Sequence, residues 1–523
     1  MKSTFHGLET ARRAMMTQQY ALHTTGHNIA NANTPGYSRQ RVNFTQAEPY
    51  PSIGMNRPML PGHLGTGTKA GSIQRVREHF LDIQFRNEQS KTGYWSTRHT
   101  GLQKMEDILN EPSTDGIAST MDRFWNALQD LSTDPQDSGA RSVVRERGVA
   151  VAEVFNYVSN SLTIIQKDLK GEIGVQEKAF NSILDQIKNI NEEISKVEPH
   201  GYVPNDLYDR RDNLIDELSQ YVNVKIDRIE SGGNASSVAE GAYNVRLVDS
   251  DGKDLGITLI DGANHSVNYL SIDFAGTNGE GLVENLSFGG NSMSVAEFES
   301  RGSIKAIIES FGYMDGGAEK GVYPEMLHDL DQMVATFVEE FNKVHRAGWN
   351  LEDIEAGEKG PSLNFFTYSG TGASPTSDQP AGAASRLQLS ADIMTSSNKI
   401  AAAKPGVDGV AFVGSGANAL ELANVKDKTL NYGGTNTSVQ SFYQSVIGDM
   451  AVHTNEANRM MRNADMLRNT VEERRQSVSS VSLDEEMTDM IKFQHAYNAA
   501  ARNITMVDEM LDRIINGLGV VGR

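Results

Sequence analysis

The sequence contains no cysteine in 523 residues. That absence excludes disulfides, thiolate metal sites, iron–sulfur clusters and cysteine nucleophiles, and it leaves the chain indifferent to redox conditions. Long apolar runs are missing as well: no stretch approaches the roughly 18 residues of a transmembrane helix, so no membrane insertion is expected. The opening residues Met1-Lys2-Ser3-Thr4-Phe5-His6 are broken by polar side chains and carry no signal-peptide apolar core. Positive charge is in short supply, with 48 Lys and Arg against 68 Asp and Glu and a net charge of −20. So acidic a balance argues against general nucleic-acid binding.

What is present is length and helical periodicity. At roughly 150 residues per domain the chain suffices for about three or four domains. Charge is uneven: residues 1–100 carry 12 Lys and Arg against 5 Asp and Glu, a net of +7, so the remaining 423 residues carry −27. The basic residues are scattered singly, unlike a nucleic-acid arm.

Both ends read as long helices. Ser3 as a cap and Asn33-Thr34-Pro35-Gly36 as a stop frame a helix in which Leu8, Ala11, Met15, Gln18, Leu22, Thr25 and Ile29 alternate at spacings of three and four. At the other end Ser482 and Glu485 read as a capping box. Leu483, Met487, Met490, Gln494, Tyr497, Ala501, Ile504, Asp508, Leu511 and Ile515 then keep the same alternation as far as Gly517. Gln494 and Asp508 are the polar positions that suit a register-setting role. Neither stripe stabilises an isolated helix, so each end needs a partner. Two readings stay open: the ends pair as an antiparallel hairpin in one chain, or they order on assembly into a larger tube.

Between the ends, helices are expected near 94–111, at 116–132 with Ile117, Met121, Phe124, Leu128 and Leu131 on one stripe, and at 140–197. The long one carries Leu162, Ile165, Leu169, Ile173, Gln176, Phe180, Ile183, Ile187, Ile190, Ile194 and Val197, and Pro199, Gly201 and Pro204 break it. Further helices fall at 205–221, 323–347 and 438–478. In Val222, Val224, Ile226 and again in Tyr243–Leu247 the period changes to two, with Asp251-Gly252 as a hairpin turn. A second block, rich in Gly, Ser and Ala, suggests short strands near 363–368, 386–389 and 410–413. The fold class is therefore mainly α with β-rich insertions. Its expected parts are a terminal coiled-coil domain (1–36 plus 480–523), a helical middle domain (37–221, 301–347 and 426–479), a β-rich block at 222–300 and an outer β-rich block at 348–425.

Signs of chemistry are weak. His23 and His27 share a helix face, yet Thr24 stands where a zinc protease places Glu, and no third ligand is near. Gly65-Thr66-Gly67-Thr68-Lys69 lacks the ending of a phosphate loop and reads as a turn. Asp249-Ser250-Asp251-Gly252-Lys253-Asp254 opens like a calcium loop, but the twelfth position is Ile260. No catalytic set, metal site or cofactor site is expected, and the chain does not read as an enzyme.

Two end motifs carry a resemblance. Asn28-Ile29-Ala30-Asn31 followed by Thr34-Pro35-Gly36-Tyr37 is similar to the N-terminal signature of the bacterial flagellar axial family of rod, hook and hook-associated proteins. Ser482–Met487 with Phe493-Gln494-His495-Ala496-Tyr497-Asn498-Ala499-Ala500-Ala501-Arg502 is similar to the matching C-terminal signature. Asn205–Ser219 resembles a helical motif of the hook–filament junction members, and the 140–221 helical block sets the chain apart from hook and rod subunits. Ser480, Ser482 and Arg77 depart from residues frequent in the family.

The resemblance implies a structural adapter exported without a cleaved signal peptide and located in the extracellular flagellum. Its partners would be copies of itself in a ring, hook protein, a second junction protein and an export chaperone. Assembly would rest on Leu8, Ala11, Met15, Leu22, Asn28, Ile29, Ala30 and Asn31 at one end. At the other it would rest on Leu483, Met487, Met490, Gln494, Tyr497, Ala501, Ile504, Leu511 and Ile515. The alternatives are a hook or distal-rod subunit, or a secreted adhesin or hydrolase with flagellar-type ends.

Overall fold

The computed structural model describes residues 5–50, 62, 65–109, 113, 114, 116–276, 280–370, 373–406 and 409–517. Ser3, the expected first cap, lies outside them. Helix α1 (Phe5–Ala30) runs into a turn over Asn31–Tyr37. The antiparallel hairpin β1 (Gln40–Gln46) and β2 (Thr68–Arg75) follows, with Gln40 opposite Arg75 and a bulge at Asn43–Phe44.

Helix α2 (His79–Leu109) starts well before the expected residue 94. Beside Leu81, the buried face of its first half is made of Asp82, Arg86, Ser90 and Gly93, so hydrophobic periodicity has little to register there. In α3 (Ile117–Thr133) the expected stripe is buried throughout. The 60-residue α4 (Ser138–Val197) is capped by Asp137, whose carboxylate accepts from the N–H groups of Gly139 and Ala140 at 2.9 and 3.1 Å. It buries Leu162, Leu169, Ile173, Phe180, Ile183, Ile187, Ile190 and Ile194 and stops before Pro199. Helix α5 (Asn205–Tyr221) crosses α2 closely: a methyl at Gly93 would stand 2.2 Å from the carbonyl oxygen of Gln220.

The first insertion is a strand region, as its period of two requires. Strands β3 (Val224–Ile229), β4 (Ala242–Val248), β5 (Asp254–Asp261) and β6 (Ser266–Val267) form one antiparallel sheet in that order. At the β4–β5 turn the Asp249 carboxylate accepts from the N–H groups of Asp251 and Lys253 at 2.8 Å, and Gly252 takes φ 87°. The calcium-like motif is thus a hairpin turn that satisfies itself. A second sheet contains β7 (Leu270–Phe274), β8 (Val283–Phe288) and β9 (Asn291–Ser294). After α6 (Ser303–Phe311), a nine-residue helix too short to show a period, it is completed by β10 (Tyr313–Asp315) and β11 (Ala318–Lys320).

Helix α7 (Val322–Ala347) returns to the helical body. The second insertion is less strand-rich than its composition suggested. It holds α8 (Leu351–Ala356), β12 (Phe366–Tyr368), α9 (Ala383–Arg386), β13 (Leu387–Leu389), α10 (Ala391–Thr395) and α11 (Ala417–Ala423). Two of the expected strands pair with each other as β12 and β13. The one near 410–413 is instead a succession of turns, with Gly406 N–H on Val410 O and Ser415 N–H on Phe412 O; Gly and Ser, frequent here, favour turns. The hairpin β14 (Leu430–Tyr432) and β15 (Thr435–Thr437) leads to α12 (Val439–Ser479), which lies along α2, and a break at Ser480–Ser482 leads to α13 (Leu483–Gly517).

The core of the body is aromatic where α3, α7 and β12 meet. Phe124, Trp125, Phe337, Phe341, Phe365 and Phe366 are all buried, and Phe341 lies 5.2–6.3 Å from the other five ring centroids.

Candidate functional site

The end helices α1 and α13 lie against each other within one chain and run antiparallel: Gly7 abuts Val507, and Asn28 meets Glu486. Of the two readings, the hairpin is the arrangement this structure contains. The seam on α13 consists of Glu486, Met490, Phe493, Tyr497, Ala500, Ile504, Val507 and Leu511, all buried or half-buried. It shares Met490, Tyr497, Ile504 and Leu511 with the expected stripe, and the alternate positions move to the neighbouring side of the helix. Ala501 is half-buried beside this seam, whereas Leu483, Met487, Gln494 and Ile515 are exposed, Ile515 to 71%. Two apolar stripes coexist on α13, so spacing alone did not select the one that packs.

On α1, Ala11 and Asn28 are buried, Leu8, Met15, Leu22 and Ile29 are half-buried, and Ala30 is exposed; Asn31, in the turn that follows, is half-buried. The expected register-setting pair is corrected. Gln494 and Asp508 face solvent, and register is held by Asn28, whose Nδ2 donates to Glu486 Oε2 at 3.0 Å. Glu485 is corrected too: its carboxylate takes the Arg39 guanidinium at 2.7 Å where a capping box would turn it back to Ser482.

The N-terminal motif owes its residue types to one junction. Gly36 has φ +75°, and a methyl there would fall 2.1 Å from the Asn213 side-chain amide. The Tyr37 hydroxyl donates to Asn28 Oδ1 and pairs with His27 Nδ1, both at 2.9 Å. Ser38 N–H donates to Asp209 Oδ2 at 3.0 Å. Arg39 N–H donates to Ser479 O at 2.8 Å, while its Nε holds Glu486 Oε1 at 2.7 Å. Burial alone would lower the Arg39 pKa; the hydrogen bonds and charges of Glu486 and Glu485 outweigh it and raise it.

Behind this junction lies a buried charge cluster that hydrophobic patterning gave no reason to expect. Arg75 donates to Asp209, Asp212 and Glu240 at 2.7, 2.9 and 2.6 Å. Arg77 forks onto Asp82 at 2.8 and 2.9 Å and lies 3.2 Å from Asp212. Arg86 holds Asp216 at 2.7 Å and Asp212 at 3.2 Å. Arg211 reaches Glu240 at 3.2 Å and stacks 3.3 Å over the Tyr243 ring. From α12, Arg475 pairs with Asp216 at 2.5 Å.

Burial raises the Asp212 pKa, but Arg77, Arg75, Arg86 and Arg211 together hold it far below the ordinary carboxylate range. Asp209 goes the other way, raised because its burial outweighs Arg75 and the Ser38 N–H. Arg77, one of the three residues expected to depart from the family pattern, is a full member of this cluster. Sequence spacing held one signal: Asp209, Asp212 and Asp216 occur at three and four on a helix, an acidic stripe where an apolar one is usual.

The basic N-terminal fifth now has a physical explanation. Arg39, Arg75, Arg77, Arg86 and Arg98 each pair with a carboxylate, and Arg98 lies 3.1 Å from Glu309. Of the two helix histidines, His23 is exposed and His27 bonds Tyr37. Among the described residues no three His, Cys, Asp or Glu side chains gather as a metal site, and no helix is long and apolar enough to cross a membrane.

Three family models match the chain. Residues 8–37 match "Flagella basal body rod protein" and residues 474–517 match "Flagellar basal body rod FlgEFG protein C-terminal". Residues 102–365 match "Flagellar hook-associated protein FlgK helical domain". Flagellar hook-associated protein 1 of Bacillus subtilis (strain 168) is 44% identical over 525 residues, with both chains covered in full. The protein of that name from Escherichia coli (strain K12) is 23% identical, covering 97% of this chain and 99% of its own. The structure of the flagellar hook junction protein FlgK from Burkholderia pseudomallei shares the fold, with a TM-score of 0.58 at 14% identity over 76% of this chain and 100% of that one.

Matches at both ends and in the helical body make this chain a structural protein of the bacterial flagellum. Full-length identity narrows the class further. The chain belongs to the flagellar hook-associated protein 1 (FlgK) family.

Proposed function

We propose that this chain is the adapter subunit that joins the flagellar hook to the filament. Copies of it form a ring, with hook protein on one side and a second junction protein on the other. The observation that carries the reading is the unspent apolar surface of the end pair. With α1 and α13 already packed together, Phe5, Met16, Tyr20, Met487, Ile491, Met506, Met510 and Ile514 remain 44–62% exposed. Apolar side chains in such number on two adjoining helices suit burial against neighbouring subunits.

In this reading Leu483, Met487 and Ile515 serve contacts between subunits, while Met490, Tyr497, Ala501, Ile504 and Leu511 serve the pair itself. Residues 1–36 and 480–523 form the assembly domain, residues 222–300 and 348–425 face outward, and the remainder is the wall between them. The subunit carries out no reaction and holds no cofactor or metal. It leaves the cell unfolded, without a cleaved signal, escorted by an export chaperone. Deletion of residues 483–515 should leave a folded middle that no longer enters flagella. Restoration of motility by that truncation, in a strain lacking the protein, would overturn the assembly role of α13.

A further inference from the structure

Two long helices of the body, α4 and α12, each carry a row of apolar side chains that the fold leaves exposed. On α4, beside the face turned to the core, Val143, Tyr157, Ile164 and Val175 are 48–67% exposed. Steps of 14, 7 and 11 positions keep them on one side of the helix, and at 1.5 Å per residue the row is about 48 Å long. On α12, Val452, Met466 and Leu467 are 52–67% exposed, with 14 positions between the first two. Helices α2 and α7 each pack against both α4 and α12, so the two rows border different flanks of the body. Neither row involves the end helices.

Charge indicates what each row meets. Beside the α4 row stand exposed Arg147, Glu153 and Asp168, and beside the α12 row stand exposed Glu456, Arg459 and Arg462. Among the described residues none of the six has an ion-pair partner. Along the chain the first series runs plus, minus, minus and the second minus, plus, plus, so the signs are complementary. Beside Arg462 the surface opens into a cleft of about 320 Å³ between α2, α5 and α12, lined also by Gln89, Gln220 and Arg468. A carboxylate side chain entering that cleft would reach a guanidinium.

We propose that the α4 row of one copy packs on the α12 row of the next, with Glu153 and Asp168 facing Arg459 and Arg462. Two different faces on separate flanks make a head-to-tail contact, the kind that closes into a ring when the rotation between copies is right. A row of this length with a helical period suits a second long helix, and the apolar side chains would be removed from water by it. The contact rests on the ring reading above and names the body surfaces that would carry it.

The absence of cysteine makes the test direct, because a bifunctional maleimide reacts only where cysteines are introduced. Tyr157→Cys and Ile164→Cys are each combined with Met466→Cys, and flagella are isolated from cells that make the variant in place of the native chain. Immunoblots should then show a ladder of dimers and larger products for the double variants and none for the single ones. Chain present in the flagella without a ladder overturns the contact and leaves the ring reading standing. A dimer from a single cysteine also overturns it, because like faces would then be meeting. Absence of the native chain itself from isolated flagella overturns the ring reading, and the contact with it.

Charge reversal gives a second reading that needs no cysteine. Arg459→Glu with Arg462→Glu should lower swimming speed or filament number about fivefold or more, because like charges brought face to face are strongly unfavourable. Adding Glu153→Arg and Asp168→Arg should restore both. Circular dichroism shows that each variant keeps its helical content. No loss on the first reversal, or no recovery on the second with that content kept, overturns the proposal.

Discussion

Replacing Asp212 by Asn tests the buried charge cluster at its centre. The Asp212 carboxylate lies 2.9, 3.2 and 3.2 Å from the guanidinium groups of Arg75, Arg77 and Arg86. An amide keeps the shape and one acceptor, but it leaves the arginines one anion short and points an N–H₂ at a cation. Uncompensated buried charge of this kind costs about 3–5 kcal/mol.

The pH dependence gives an independent sign. Asp212 titrates far below its ordinary range in the folded chain. Its contribution is therefore fully present above the unfolded value of about 3.9 and is lost as pH falls below it, where only the unfolded chain takes up the proton. Urea unfolding of the full chain, followed by circular dichroism at neutral pH and between pH 4.5 and 3, reads both effects. Asp212→Asn should lower stability at neutral pH and flatten the acid limb. A loss under about 1 kcal/mol with an unchanged acid limb would refute the reading that this cluster holds the body together.

Two further outcomes follow from the core. Phe341→Ala removes the ring at the centre of the aromatic cluster and should cost about 3–5 kcal/mol, measured by urea denaturation; a loss under about 1 kcal/mol would mean that the cluster collapses to refill the space. His345 is buried, with Nδ1 on Leu363 O at 2.8 Å and Nε2 accepting the Ala401 N–H at 3.1 Å, and burial lowers its pKa from 6.5 to about 4. It is neutral in the fold, so stability should fall by about 3 kcal/mol as pH drops from 6.5 to 4, where the unfolded chain binds the proton that the native one refuses. His345→Gln should remove that slope, and persistence of the slope would place it elsewhere.

Long helices were the most legible part of this sequence. The stripes of α3 and α4 match burial almost position by position, because each turns an apolar face to the core. Legibility failed where the buried face is polar. The start of α2 is hidden by Asp82, Arg86 and Ser90, and the seam of α13 begins at Glu486, which no apolar count includes. The family motifs marked the segment that forms the junction, yet the roles of Gly36, Ser38 and Arg39 depend on Asn213, Asp209 and Glu486, all more than 170 positions distant, and such contacts leave no local period.

The arginines of the N-terminal fifth also bear on the order of synthesis. Arg75 waits for Asp209, Asp212 and Glu240, Arg39 waits for Glu486, and Asp216 waits for Arg475. A nascent chain therefore carries Arg75 without its counterions until Glu240 has been made, and Arg39 without Glu486 until the last fifth. Contacts of such sequence separation form slowly. The junction between the end helices and the body therefore closes only when translation is nearly complete, and the net negative charge of the chain favours its solubility meanwhile.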